Sequence, residues 1–222
     1  MTTATYKVHR LTKRPTLDAD WDKAEWQNIP AIQLTHVMGT HQAFMPRVDV
    51  KLAHDNEAVY LIFRVDDRYV RCVSNTINHR MWEDSCVEFF FAPDLQFPER
   101  YFNLETNCGG TVLFHYNLEQ KRKKFIYAPE KVTQIDVAHS LPELVLDEIT
   151  DPITWTLAYR LPIALVKEFA EVKAPLSGTS WRANFYKCGD KTSNPHFITW
   201  AEVKHPVPNF HLPQFFGELC FE

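Results

Sequence analysis

Glycine is scarce in this chain, 6 in 222 residues, and neither GxGxxG nor GxxxxGK[ST] occurs, so the glycine-rich cradles that hold nucleotide phosphates are absent. Five cysteines, Cys72, Cys86, Cys108, Cys188 and Cys220, form no CxxC pair and leave an odd thiol, which signals neither a zinc ribbon nor a disulfide framework. Cys86 and Cys220 lie in hydrophobic runs and read as small apolar core residues. The local signatures of hydrolytic enzymes are missing too: there is no GxSxG elbow, no HExxH and no SxxK. A formal charge of -4 leaves no basic footprint for nucleic acid, and the one cationic run, Lys121 to Lys124, reads as a solvated loop. No stretch approaches the roughly 18 apolar residues of a membrane span. The opening MTTATYKVHRLTKRP lacks the apolar centre of a secretory leader. The expectation is a cytoplasmic protein or, where a leader has been removed, a secreted or periplasmic one.

Aromatic residues are plentiful instead, with 16 Phe, 8 Tyr and 6 Trp, and most stand in short alternating runs that suit the faces of a sheet. The central run is Met81 to Pro93, MWEDSCVEFFFAP. From Ser85 it alternates with Val87, Phe89 and Phe91 on one side and Cys86, Glu88 and Phe90 on the other. Before it, Val48 to Ala53 and Ala58 to Val65 read as a hairpin. After it, Tyr101 to Asn107 and Thr111 to Asn117 pair across Gly109-Gly110. Further strands are predicted near 125–128, 131–137, 153–161, 180–187 and 217–221, with 141–150 ambiguous. Thr16 to Pro30 offers a short helical turn anchored by Trp21 and Trp26, as a lid on one end of the fold, and Pro162 to Val172 has helical spacing. Roughly ten short strands with one or two short helices and no internal linker predict a single all-β domain over 1–222, an antiparallel β-sandwich of jelly-roll or immunoglobulin-like type.

Glu88 is an acid inside an apolar run, a costly placement unless it finds a partner. One reading pairs it with an arginine on a neighbouring strand. The other makes it an acceptor beside Trp82, a stacking platform for a polar, ring-shaped ligand. Asn103 and Glu105 share the polar side of their strand, as a sugar-binding or otherwise solvated face would require, and Asn184 takes a similar place in 180–187. A Glu88 and Glu105 pair also admits a glycoside hydrolase, since carboxylate geometry is set in space. Asp18, Asp20, Asp66, Asp67 and Asp84 are loop acids able to ligate calcium, although no EF-hand loop is present. Metal ligands are otherwise not identified, because the ten histidines are scattered without ligand spacing.

Four stretches in order resemble the family 9 carbohydrate-binding modules and their DOMON-type sandwich relatives. TLDADWDKAEW is similar to the family's opening, YLIFRVDD to its strand ending in Val-x-Asp, and WEDSCVEFFFAP to its strand that opens on Trp and carries Asp and Glu. Trp200 followed by PNFHLPQFFGELCF is similar to its closing segment. The resemblance covers most of the chain. It implies a non-catalytic module that holds a sugar, often at a chain end, between two tryptophans, in the service of xylan- or cellulose-type polysaccharide breakdown, with calcium in structural sites. Carried over, Trp82 and Trp200 are the two halves of the clamp, Glu88 is the acid beside it, and Asn103 and Asn184 reach the ligand. The chain departs from the family in having Glu105 and Asn107 near Asn103 where an arginine is expected. The implied partner is an oligosaccharide or polysaccharide end. The alternatives from other classes are the hydrolase above, a structural interaction domain, and a haem or redox domain of DOMON type using Met38, Met45 or Met81 with His36 or His115.

Overall fold

The computed structural model describes residues 3–119 and 122–222. Lys121, the first residue of the predicted cationic loop, lies outside the described residues. The strands are β1 (Thr5–Arg10), β2 (Ile32–Leu34), β3 (His36–Val37), β4 (Arg47–His54), β5 (Ala58–Asp67), β6 (Val70–Cys72), β7 (Cys86–Ala92) and β8 (Tyr101–Asn107), then β9 (Val112–Glu119), β10 (Lys123–Ile126), β11 (Asp136–His139), β12 (Val145–Ile149), β13 (Ile153–Pro162), β14 (Ser180–Cys188), β15 (Phe197–Thr199) and β16 (Gly217–Phe221). Three four-residue helices join them: α1 (Ala24–Gln27), α2 (Pro129–Val132) and α3 (Ile163–Val166). Among the described residues no helix is long and apolar enough to cross a membrane.

One curled path of strands, β10-β9-β8-β7-β14-β16-β1-β4-β5-β13-β11, forms both layers. The corner is β1. Its residues Thr5 to Val8 pair with β16 and its last two, His9 and Arg10, pair with β4. Both pairings are parallel, which corrects the expectation of a wholly antiparallel sheet; the two layers share a strand that neither hairpin logic nor alternation reveals. The other neighbours are antiparallel, and the predicted Gly109-Gly110 turn is present, with Gly110 at φ 87°, a conformation that favours glycine.

The layers meet through the alternation read in the sequence. Val87, Phe89, Phe91, Phe102, Leu104, Phe114, Trp181 and Phe185 point inward from one layer and Val50, Leu52, Leu61, Phe63, Trp155, Leu157 and Tyr159 from the other. Phe63 and Phe185 touch across the gap at 6.3 Å, and Phe91 stacks on Trp181 at 5.2 Å and on Phe102 at 5.0 Å. Each such ring contributes about 1.5–3 kcal/mol through burial. A buried ion pair, Lys187 with Asp67 at 3.3 Å, closes one end of this core; Lys187 also meets His196 Nε2 at 2.7 Å, and burial, followed by this ammonium, holds that imidazole neutral down to about 3.

Three local expectations differ. The 131–137 strand is α2 followed by a turn and β11, because Pro129 starts a helix where its missing N–H costs nothing. The 162–172 helix is only α3, continued by isolated turn bonds such as Ala170 N to Val166 O at 3.1 Å. The segment around α1 lies across an outer face rather than at one end: Trp26, Ile29 and Ala19 pack on Ala53, Ala58, Tyr60, Ile62 and Ala158.

Candidate functional site

The opposite outer face, formed by β7, β8, β9 and β14, is roofed by the extended 203–216 segment. Val203, Phe210, Leu212 and Phe216 pack on Phe90, Tyr101, Leu113 and Tyr186, with Phe210 stacked on Tyr186 at 4.2 Å. Tyr101 shares a hydrogen bond with His211 at 2.8 Å, and Tyr186 donates to the Phe210 carbonyl at 3.1 Å. The roof does not close completely. Between it and the sheet is a cavity of 330 Å³ with Trp82, Glu88, Asn103, Glu105, His115 and Asn117 in its lining.

Strand register explains the floor. Glu88 of β7 stands opposite Glu105 of β8, and Asn103 opposite His115 of β9, so period-two alternation aims all four to the same side. Asn117 donates to the Asn103 side-chain oxygen at 2.7 Å, and Asn103 donates to Glu105 at 2.8 Å. This relay fixes which edges of the two amides face the cavity. His115 is buried with Nε2 lacking a hydrogen-bond partner among the described residues. Burial, followed by the Lys124 ammonium, lowers its pKa to about 4, so it is neutral at pH 7.

Glu88 is 2% exposed, and its Oε1 accepts a hydrogen bond from the Cys188 thiol at 3.2 Å. The arginine partner expected from the simpler reading is elsewhere: Arg182 of β14 donates instead to carbonyls of the roof, Phe216 O at 2.6 Å among them. Burial, and then the neighbouring Cys188 and Glu105, pushes the Glu88 pKa well above the ordinary carboxyl range. In its protonated form Glu88 is a hydrogen-bond donor, so the floor presents donors and acceptors side by side.

Trp82 stands at the rim in the 3-10 turn Met81–Glu83, 36% exposed. The turn is held from both sides: buried Met81 anchors it, and the Trp82 carbonyl accepts from Asp190 N at 2.9 Å. Asp84, just after it, accepts from the backbone of Val73 and Ser74 and from Asn107. That role explains an aspartate at this position without a metal.

The structure thus brings Trp82, Glu88, Asn103 and Glu105 together and leaves Asn184 and Trp200 out. Asn184 holds both backbone groups of Ala201, donating to its carbonyl at 3.0 Å and accepting from its N–H at 2.8 Å. Trp200 packs on Phe185 at 5.6 Å and against Gly217, on the core side of the sheet. The other aromatic rings on the cavity are Phe197, Phe210 and His211. Sequence reading missed Asn117 and nominated His115 only as a haem ligand in the redox alternative, although carrying the Asn103 alternation one strand further across the hairpin would have brought both to this face. Asp190, Asn209 and His211 sit in irregular segments with no such signal. The loop acids nominated for calcium do not converge: Asp67 serves Lys187 and Trp155, Asp66 accepts from Thr154, and Asp18 pairs with Lys23. Among the described residues no methionine lines the cavity, so the nominated thioether-histidine pairs are not assembled there.

The sequence model described as carbohydrate-binding family 9 matches residues 17–221. No curated protein matches the chain significantly. Among solved structures, a Bacteroides uniformis ATCC 8492 protein provisionally described as carbohydrate-binding is similar over 100% of both chains, with 28% identity and a TM-score of 0.89. A family 9 carbohydrate-binding module from Caldicellulosiruptor kristjanssonii in complex with cellotriose is similar over 99% of this chain and 94% of its own, at 16% identity and a TM-score of 0.65. The same organism's family 9 module in complex with glucose covers 99% and 96%, at 16% identity and a TM-score of 0.59.

Proposed function

The chain belongs to carbohydrate-binding family 9, and from that premise we propose that residues 1–222 act as one non-catalytic module that takes a neutral sugar into the cavity beneath Trp82. The observation that carries this reading is the pairing of a partly exposed indole with a floor of Glu88, Asn103, Glu105 and Asn117. The C–H face of a pyranose stacks on the indole while its hydroxyls meet donors and acceptors below. The volume lies at the small end of ligand pockets, roughly 300–1,000 Å³, which favours a chain end over the flank of a polymer. Glucose and cello-oligosaccharides are the first class to try, since relatives of this fold were solved with glucose and cellotriose, and xylose-based xylan fragments are the second. The second tryptophan of the clamp is replaced in this proposal by Phe197 and Phe210.

Glu88 accepts from the Cys188 thiol and Glu105 from the Asn103 amide, so both carboxyls are tied into the floor, which supports a binding role. Calorimetric titration with glucose, cello-oligosaccharides and xylo-oligosaccharides tests the reading. Binding between about 1 μM and 1 mM, roughly -8 to -4 kcal/mol, should be lost in Trp82→Ala with the fold intact by circular dichroism. Heat unchanged by that substitution would remove Trp82 from the site. Release of product from chromogenic glycosides, abolished by Glu88→Gln, would replace the module by an enzyme.

A further inference from the structure

We propose that Cys86, Cys188 and Glu88 form a binding site for a thiophilic divalent cation, of which Zn2+ is the type, set into the floor of the cavity. Cys86 and Cys188 are direct cross-strand partners on β7 and β14, and Glu88 is the next residue of β7 on the same face. One ligand atom from each of the three lies within 4.8 Å of the other two, and this is the one such group of three or more His, Cys, Asp and Glu side chains among the described residues. A tetrahedral zinc with bonds of about 2.3 Å to sulfur and 2.0 Å to oxygen needs its ligand atoms about 3.5–3.8 Å apart. The Cys188 Sγ to Glu88 Oε1 separation is already 3.2 Å. The other separations, at most 4.8 Å, need to close by no more than about 1 Å to reach that geometry.

The surroundings favour a cation. All three side chains are at most 2% exposed, and the Lys187 ammonium, which donates to the Cys188 carbonyl, has its charge balanced by the buried Asp67 carboxylate at 3.3 Å. Asp190 and Glu105 add negative potential at Glu88. Binding of a divalent ion releases the two thiol protons and any carboxyl proton to solvent, and two sulfurs select a thiophilic ion over calcium or magnesium. Glu88 and Cys188 line the cavity whereas Cys86 does not. The ion therefore has an entry path, and its fourth position faces the cavity, the arrangement of zinc sites with three protein ligands.

The test is titration of the reduced, full-length chain with Zn2+ alone against a chromophoric chelator, and with Co2+ to read thiolate-to-cobalt charge-transfer absorption. It contains no sugar, so it stands apart from the proposed function. One equivalent is expected. Cys86→Ser and Cys188→Ser should each weaken it by more than about 100-fold, beyond the 10- to 100-fold cost of losing a ligand's supporting partner. Cys108→Ser and Cys220→Ser should leave it unchanged. Should the serine variants fail to fold, alkylation of the wild type mapped by mass spectrometry decides: zinc should shield Cys86 and Cys188 and no other pair. Overturning results are no zinc bound by the reduced wild type, shielding or loss confined to Cys72 and Cys108, or a Cys86–Cys188 disulfide that persists in reductant.

Discussion

The two outer faces of the sandwich are both roofed by irregular chain, one by residues 19–29 and the other by 203–216, and the roofs rest on different floors. Under the first lie Ala53, Ala58, Ile62 and Ala158, small or apolar, and Trp26 settles onto them until it is 2% exposed. Under the second lie Glu88, Asn103, Glu105 and Asn117 beside Phe90 and Tyr186. An apolar roof descends onto aromatic rings but not onto amides and carboxyls, whose desolvation costs more than the contacts return. So the second roof seals over Phe90 and stands off over Glu88. The same fold carries a sealed face and an open one, and the difference is the side-chain chemistry of four strands. The sharpest way to break the comparison is to unseal the first face. Trp26→Ala should destabilise the protein by about 3–5 kcal/mol, read from urea unfolding, while sugar affinity of the folded fraction stays unchanged.

The open face is held together by its polar relay rather than by burial alone. Asn103→Leu removes one acceptor of the Asn117 amide, which keeps the Tyr101 carbonyl, and the donor to Glu105, and should cost about 1–3 kcal/mol together with most of the sugar affinity. A third substitution reads the same face through protons. Glu88 binds its proton more tightly folded than unfolded, so its contribution is full below the ordinary value of 4.5 and is lost as pH rises through its raised folded value. His115 works in the opposite sense: the unfolded chain protonates near 6.5 and the folded one only near 4, so stability falls as pH drops between them. Unfolding midpoints from pH 5 to 9 should therefore show wild type losing ground to Glu88→Gln as pH rises, with a slope of at most about 1.4 kcal/mol per pH unit for one proton. Equal slopes would mean that Glu88 is ionised in the folded state.

Much of this contrast is legible in the residues. Period-two alternation places Phe89 and Phe91 inside and Glu88 outside, because both faces of β7 are buried and only chemistry separates them. Asn103 and Glu105 follow by the same rule. What the linear order does not contain is which side of the sheet a tryptophan in a loop turns to. Trp200 and Trp82 both adjoin a strand, yet one packs on Phe185 and the other stands at the cavity rim. Nor does it show that the last strand and the first pair in parallel and join the layers, since that contact closes across almost the whole chain. The roof over the cavity, from Pro208 to His211, has no periodicity and emerges only when Tyr101 and Tyr186 bind it.

The finest distinction concerns the charge of the ligand. Lys124 is an exposed cation on the cavity wall, and its field contributes to keeping His115 neutral. For a neutral sugar the ammonium adds at most a solvated hydrogen bond, so Lys124→Ala should change affinity by no more than about 2-fold, about 0.4 kcal/mol, with little dependence on salt. For a uronic acid or another anionic sugar the same substitution removes an attractive charge from a partly enclosed site, and the loss should exceed 10-fold at low salt and shrink as salt screens it. Titrating glucose and glucuronic acid against wild type and Lys124→Ala at two ionic strengths separates the cases. A salt-insensitive glucose affinity, retained in the variant, would assign recognition to the Trp82 rim and the uncharged part of the floor. A large, screened loss with glucuronic acid as the tighter ligand would make Lys124 a specificity residue and turn the cavity into a site for acidic sugars.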